Sequence, residues 1–208
     1  MNYGTVALIA LAIFLLTPLS RIVLAALFGH SIGEAALSRQ PDTIHLKPID
    51  RAKLRHAGRV EGFAAEYVNS GFESAGLFAI PEMPGVSVQL FAHRANSMYG
   101  AIYDHPIAGV FCDVVSRYPD GSARTWTTAR ATGLKHMPNA RVTNLPGTEP
   151  AVLIETARRQ RPAAGLRACT TANAVVDFET AYAEYMAWIK QRGISTGEVV
   201  EVARRKVA

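Results

Sequence analysis

A long apolar segment near the amino terminus constrains this chain more than any other feature. Val6–Leu16 is an uninterrupted apolar run, and a second run follows at Ile22–Phe28. Neither run alone crosses a bilayer, but Thr5–Phe28 as one helix is long enough for a hydrocarbon core of about 30 Å. The sequence therefore predicts a single-pass transmembrane anchor within residues 1–29, with the lipid bilayer as the partner of residues 5–28.

Two residues fit a membrane helix less well than the rest of this segment. Proline is tolerated in a membrane helix when nearby hydroxyl groups satisfy the freed carbonyl, and Pro18 has Thr17 and Ser20 beside it. Arg21 lies two-thirds of the way along the segment, so its guanidinium can reach the nearer interface. A kinked membrane helix is therefore expected.

Two alternatives to this anchor stay open. A cleaved signal peptide is disfavoured, because such a leader is positively charged and Met1–Tyr3 offers only the α-amine. A shorter span ending near Leu19 would leave Ile22–Phe28 as an amphipathic helix along the membrane surface.

The distribution of charge predicts the orientation and excludes one class of partner. The only positive charge before the anchor is the amino terminus. Six basic residues follow the anchor within thirty-one positions: Arg39, Lys47, Arg51, Lys53, Arg55 and Arg59. The positive-inside rule therefore predicts a cytoplasmic domain. The net charge of +5 suits an anionic membrane surface. Nucleic-acid binding is not expected, because the basic residues are spread along the chain rather than clustered with aromatic ones.

The rest of the chain divides into a linker, residues 30–49, and one domain, residues 50–208. A helix is expected from Asp50 to about Ser70, with Leu54, Val60, Phe63 and Tyr67 on its apolar side. Further helices are expected at Ala151–Gln160, at Ala172–Gln191 and after the capping box that starts at Ser195.

Five segments in the middle of the domain have the composition and periodicity of strands. They are Leu77–Ile80, Val86–Leu90, Met98–Tyr103, Val110–Tyr118 and Ser122–Arg130. The connections are too short for crossover helices, and Pro119-Asp120-Gly121 is a clear turn. The predicted fold is α+β: the membrane helix, then a five-stranded antiparallel meander packed with an N-terminal helix and C-terminal helices.

Cys112 and His105 are weak candidates for catalysis. A nucleophilic thiol needs a base within hydrogen-bond reach, and His105 is one of three histidines considered for that role. Alternation along the strand places Cys112 on one face with Val110 and Val114, which is typical of a buried cysteine. Whether Cys112 pairs with Cys169 in a disulfide stays open.

Asp113 falls on the opposite face of the same strand, with Phe111, Val115 and Arg117. One interpretation is a cross-strand ion pair or hydrogen bond to Arg124, Trp126 or Thr128. The other is a polar group inside a half-open pocket between the sheet and a helix.

Recognisable motifs for metals, nucleotides and hydrolysis are missing from the sequence. There is no HxH, HxxxH, CxxC or HExxH spacing, no phosphate-binding glycine loop and no GxSxG. We therefore expect no metal and no cofactor. If a metal site existed, His93, Asp104 and His105 would be its first candidates.

Five aromatic residues from successive strands are candidates for binding a ligand or partner, if they share an uncovered face: Phe91, Tyr99, Tyr103, Phe111 and Trp126. If helices cover both faces, these residues are core, which is the favoured interpretation. The functional hypothesis is a membrane-anchored accessory or binding module, with a membrane protein as one conceivable partner. The alternative is a membrane-tethered enzyme that uses Cys112 or His105 on a small ligand.

Overall fold

The computed structural model describes residues 18–206, and within this range the chain is α+β as predicted. The helices are α1 (Pro18–Ser38), α2 (Ala57–Asn69), α3 (Pro150–Gln160), α4 (Ala174–Arg192) and α5 (Thr196–Arg205). The strands are β1 (Lys47–Pro48), β2 (Glu73–Ala79), β3 (Ser87–His93), β4 (Met98–His105), β5 (Gly109–Arg117), β6 (Ala123–Thr127) and β7 (Ala140–Asn144).

The described residues form two compact units. The first combines residues 18–40, 131–135 and 188–206, and so contains α1, α5 and the end of α4. The second combines residues 41–130 and 136–187, and contains the sheet, α2, α3 and most of α4. The predicted domain of residues 50–208 contributes to both units.

The sheet has seven strands rather than the five predicted, and it is mixed. Its spatial order follows the chain from β1 to β7, with antiparallel pairs from β1 to β6 and β7 parallel to β6. The two-residue β1 is too short to show a periodicity. A long loop, residues 128–139, precedes β7, which gives the chain enough length to return and pair in the parallel direction.

Helices cover both faces of this sheet. On the first face, α2 and α3 pack over a core that includes Tyr67, Phe91, Cys112, Trp126 and Leu153. We call the other face, which α4 covers, the α4 face.

The core on the α4 face is separate from the first. It includes Val88, Leu90 and Ala101 of the sheet and Ala174 at the start of α4, with Phe178 packed against them. The predicted helix at Ala172–Gln191 corresponds to α4, and its residues Val175, Phe178 and Tyr182 pack on this core.

The predicted helix from Asp50 is interrupted. A 3₁₀ turn at Arg51–Lys53 is followed by a break, and α2 begins only at Ala57. The buried carboxylate of Asp104 accepts the backbone N–H groups of Arg55 at 2.7 Å and of His56 at 3.0 Å. This tertiary interaction holds the turn at Arg55 and His56 that separates the two helical segments, which sequence propensity alone does not reveal.

Part of the predicted linker is helical, because α1 continues to Ser38. Its last turns contain helix-favouring alanine, glutamate and leucine residues, and Pro41 lies just beyond them. In the first unit α1 packs against α5, and Gly29 permits the close approach. A Cβ at Gly29 would lie 2.9 Å from the Cα of Thr196.

The predicted transmembrane helix receives no support from the described residues. Residues 5–17 of the predicted span lie outside them. Among residues 18–206, no helix combines the length and apolar character that crossing a bilayer requires.

Candidate functional site

A half-open cleft lies on the α4 face of the second unit. It has a volume of about 490 Å³ and is bounded by β4 to β7, by α4 and by residues 136–140. We call it the α4 cleft. Small side chains explain why it exists: Ala123 and Ala140 on the strands face Ala181 on the helix, and together they leave the gap between sheet and α4 unfilled. Larger residues fill the same layer nearer β3.

Asp113 is the polar group at the base of this cleft. It lies in the centre of β5, paired with Ala101 of β4 and with Thr127 of β6. Its Oδ1 atom is buried and accepts no hydrogen bond. Burial raises the pKa of this carboxyl to about 6, and the nearby hydroxyl groups of Thr127 and Tyr103 only partly oppose the rise. A buried carboxylate oxygen without a partner costs stability, and carboxyl groups with raised pKa values are frequent at functional sites.

Aromatic rings form the wall beside Asp113. The Tyr103 ring stacks on Phe111 with centroids 4.5 Å apart, and Phe178 of α4 lies 6.2 Å from Tyr103. Tyr182 and Tyr185 of α4 continue this wall. Burial and the charge of Asp113 raise the pKa of Tyr103 well above its usual value. The Tyr103 phenol therefore stays protonated, and its hydroxyl interacts with the Asp113 carboxyl.

Arg117 stands at another part of the cleft and is held in place by α4. Its guanidinium donates to the carbonyl oxygen of Asp177 at 3.0 Å and lies 3.4 Å from the carboxylate of Glu184. His136 lines the cleft from the loop, and burial lowers the pKa of its imidazole, which favours the neutral form near pH 7. Asp113 and Glu184 therefore bring two negative charges against the single positive charge of Arg117.

A smaller cavity of about 80 Å³ adjoins the cleft and shares Tyr103, Arg117 and Phe178 with it. Its polar group, Asp177, is already satisfied. It accepts the Tyr99 hydroxyl at 2.5 Å and an Arg167 N–H at 2.8 Å. This cavity is therefore an extension of the cleft, and its carboxylate already has partners within the protein.

The structure does not bring Cys112 and His105 together. The Cys112 side chain lies in the core of the first face, 3.7 Å from the Thr128 hydroxyl, and burial raises the pKa of its thiol to about 11. His105 ends β4, and its Nδ1 accepts the backbone N–H groups of Ile107 and Ala108 in the turn to β5. Cys112 and Cys169 are both free and buried, so no disulfide joins them.

The five predicted aromatic residues do not share a face. Phe91 pairs with Gly100 while Tyr99 pairs with Ala92, so Phe91 and Tyr99 project to opposite sides of the sheet. Phe91 and Trp126 belong to the core of the first face. Tyr99, Tyr103 and Phe111 lie on the α4 face, and of these Tyr103 borders the α4 cleft.

The metal candidates are engaged separately. The imidazole of His93 interacts with Asn96, whereas Asp104 binds His56 Nδ1 at 2.7 Å as well as two backbone amides. Within residues 18–206, no three histidine, cysteine or acidic side chains are grouped so as to hold a metal ion.

Sequence reasoning anticipated Asp113 in a pocket as one of two interpretations and named Tyr103 as a binding candidate, but it did not find Glu184 and His136 as cleft residues. Glu184 and His136 come from distant segments, and no local pattern marks them. The candidate partners Arg124, Trp126 and Thr128 were wrong, because Thr127 is the residue opposite Asp113.

Comparison of the chain with protein-family models, with curated proteins and with solved structures finds no match.

Proposed function

We propose that this protein is a membrane-associated binding module whose ligand site is the α4 cleft. The observation that carries the proposal is a buried carboxylate oxygen of Asp113 without a hydrogen-bond partner, at the base of a cleft walled by apolar and aromatic side chains. A largely apolar pocket with a few placed polar groups is the usual form of a small-molecule site. The carboxylate orients the ligand, and the rings supply the contact area.

Binding is favoured over catalysis by a cysteine or serine nucleophile, because of the composition of the cleft. Its lining among the described residues contains no cysteine or serine. The Cys112 thiol lies on the other face of the sheet, and its raised pKa disfavours the reactive thiolate.

Attachment to an anionic lipid bilayer through residues 5–28 is the second part of the proposal. Leu27 and Phe28 of α1 are 70% and 57% exposed, and Val23, Leu24 and Ile32 extend the same apolar stripe. The opposite side of α1, including Ala25 and Gly29, is buried in the first unit. The apolar run Val6–Leu16 precedes this helix directly, so the stripe continues a segment of lipid-compatible sequence. The excess of basic residues suits anionic headgroups.

The orientation follows from the same charges. Basic residues after the apolar segment favour retention of the following units on the cytoplasmic side of a single-pass anchor. A reporter fused to the carboxyl terminus that fluoresces only after export is expected to stay dark, and fluorescence would contradict this orientation.

Flotation with vesicles tests the attachment. The full chain should float with vesicles of phosphatidylcholine and phosphatidylglycerol, and Leu27→Glu with Phe28→Glu should reduce the floated fraction. Val152→Glu and Val176→Glu are matched controls, since these valines are 55% and 62% exposed on other helices. A wild-type chain that stays at the bottom of the gradient contradicts attachment. Equal losses in both variant pairs would contradict the role of the α1 stripe.

A neutral aromatic probe tests the cleft. Naphthylethanol should bind the full chain in detergent micelles, and Ala181→Leu should abolish the binding because the added side chain occupies the cleft. Binding that is absent, or that Ala181→Leu leaves unchanged, would contradict a ligand site at this position.

A further inference from the structure

We propose that the ligand of the α4 cleft is a protonated amine with an apolar or aromatic body, and that Asp113 is its counter-ion. This inference rests on the proposed function, because it names the ligand class of the same site.

The first argument is the state of the Asp113 carboxylate. Its Oδ1 atom is buried and accepts no hydrogen bond, and Asp113 is one of the residues that line the cleft. The guanidinium of Arg117 lines the same cleft but is engaged with the Asp177 carbonyl and with Glu184. A charged donor brought by a ligand would satisfy the carboxylate with a strong, charge-assisted hydrogen bond.

The second argument is the balance of charge in the cleft. Asp113 and Glu184 supply two carboxylates, whereas Arg117 supplies one guanidinium and His136 favours its neutral form near pH 7. One negative charge is therefore uncompensated, and it lies on Asp113. A cationic ligand neutralises the cleft, whereas an anionic ligand would add a second like charge beside a buried carboxylate.

The third argument is the kind of wall that surrounds the carboxylate. Tyr103 is next to the carboxylate, the Phe178 ring lies 6.2 Å from the Tyr103 ring, and Tyr182 and Tyr185 extend the wall along α4. The faces of aromatic rings attract cations, and an ammonium group among rings gains this attraction in addition to its hydrogen bond. The cleft volume of about 490 Å³ leaves room for the apolar body of such a ligand.

Three probes with one ring system separate the ligand classes. Naphthylethylamine is cationic, naphthylethanol is neutral and naphthylacetate is anionic. Their binding to the full chain in detergent micelles is measured by naphthalene fluorescence, for the wild type and for Asp113→Asn, Asp50→Asn and Ala181→Leu. Asp50 is the matched control, because its exposed side chain makes no capping hydrogen bond.

The wild type should bind naphthylethylamine most tightly and naphthylacetate most weakly. Asp113→Asn should lower the affinity for naphthylethylamine by about tenfold or more, as expected for loss of a charge-assisted hydrogen bond. The affinity for naphthylethanol should not change. Asp50→Asn should match the wild type, and Ala181→Leu should weaken all three probes.

The outcomes separate the two proposals. If naphthylacetate binds most tightly, or if Asp113→Asn leaves the affinity for naphthylethylamine unchanged, the assignment of an amine ligand is overturned while the cleft stands as a ligand site. If no probe binds in a way that Ala181→Leu abolishes, the proposed function itself fails.

A pH titration of the wild type keeps the test valid should Asp113→Asn not fold. Protonation of Asp113 should lower the affinity for naphthylethylamine between pH 7.5 and pH 5, because the ionised carboxylate is the group that attracts the amine. The affinity for naphthylethanol should not change over this range. The other titratable or charged groups that face the cleft are Tyr103, Arg117, His136, Tyr182, Glu184 and Tyr185. Because His136 also gains a proton on acidification, the titration is repeated with His136→Gln. Amine affinity that is independent of pH in both proteins overturns the assignment.

Discussion

The carboxylate of Glu198 accepts both guanidinium NH₂ groups of Arg192, at 2.7 and 2.8 Å. The same carboxylate accepts the backbone N–H of Lys135 at 2.8 Å and closes the capping box with Ser195. Glu198 is 5% exposed, so this network is shielded from water. It joins the end of α4, the start of α5 and residues 131–135 within the first unit.

Replacing Glu198 by glutamine should destabilise the first unit. Hydrogen bonds from Arg192 lower the pKa of Glu198 from 4.5 to about 2, which corresponds to about 3 kcal/mol of stability above pH 4.5. Because the folded-state pKa is depressed, this contribution is lost as the pH falls from about 4.5 to about 2. Urea unfolding can be followed through Trp188, whose ring lies 4.9 Å from the Arg192 guanidinium carbon, in a Trp126→Phe background.

Glu201→Gln is the matched control on the same helix. Its partner Arg205 is four residues away and the pair is largely exposed, so the loss should stay below about 0.5 kcal/mol. Equal losses for Glu198→Gln and Glu201→Gln, or a Glu198→Gln loss that persists at pH 2, would contradict this account.

Gly100 allows the Tyr67 ring to lie against β4, and an alanine there should be poorly tolerated. A Cβ at Gly100 would overlap the Tyr67 ring, which is fully buried and stacked on Phe91 at 5.1 Å. Overpacking of this kind costs about 1–3 kcal/mol in the free energy of unfolding, measured by urea denaturation.

Gly62→Ala is the contrasting substitution. A Cβ at Gly62 in α2 meets nothing within 4 Å, so alanine should stabilise the protein by about 0.5–1 kcal/mol through helix propensity. If Gly100→Ala were as stable as the wild type, the close contact between Tyr67 and β4 would be wrong.

Local sequence signals predicted the elements that depend on neighbouring residues. The capping box from Ser195 to Glu198 is present in full, and Gly121 adopts a φ of 78° in the turn between β5 and β6. The alternation along β5 placed Cys112 and Asp113 on opposite faces correctly. These features require only a few consecutive residues, so a single sequence is enough to reveal them.

The relation between strands was not predictable in the same way. Alternation fixes which residues within a strand share a face, but a shift of one residue between strands exchanges the faces. The tight connection at Arg94–Asn96 sets the pairing of β3 with β4, and it separates Phe91 from Tyr99. An error of one residue in the pairing of β5 with β6 likewise produced the wrong partners for Asp113.

The cleft itself was beyond sequence reasoning because it is a gap between distant segments. It depends on small side chains at Ala123, Ala140 and Ala181, each of which is unremarkable in its own element. Only the packing of α4 over β5 to β7 makes their combined effect visible.

The Cys112 thiol should be unreactive in the native protein. It is fully buried, and burial raises the pKa of its thiol to about 11 from 9.0, which lowers the thiolate fraction by about a hundredfold at neutral pH. Labelling with iodoacetamide in a Cys169→Ala variant should be slower than in the same chain unfolded in urea by at least that factor. Equal rates in the native and unfolded chains would restore Cys112 as a candidate nucleophile.

Asp113→Asn should make the ligand-free protein more stable at neutral pH, although it removes the proposed counter-ion of the amine ligand. Burial raises the pKa of Asp113 from 3.8 to about 6. A raised folded-state pKa means that folding favours the protonated form of Asp113. The contribution of this protonated carboxyl to the free energy of unfolding is complete below pH 3.8 and is lost as the pH rises to about 6. Above pH 6 the ionised carboxylate costs the wild type about 2–3 kcal/mol relative to a neutral side chain of the same shape. Urea unfolding of both proteins at pH 7.5 and pH 4 is followed by Trp126 fluorescence in a Trp188→Phe background. The stability advantage of Asp113→Asn at pH 7.5 should shrink at pH 4. A variant that is less stable than the wild type at pH 7.5 would show that the Asp113 carboxylate is satisfied in the folded protein, which would remove the basis for a ligand at this position.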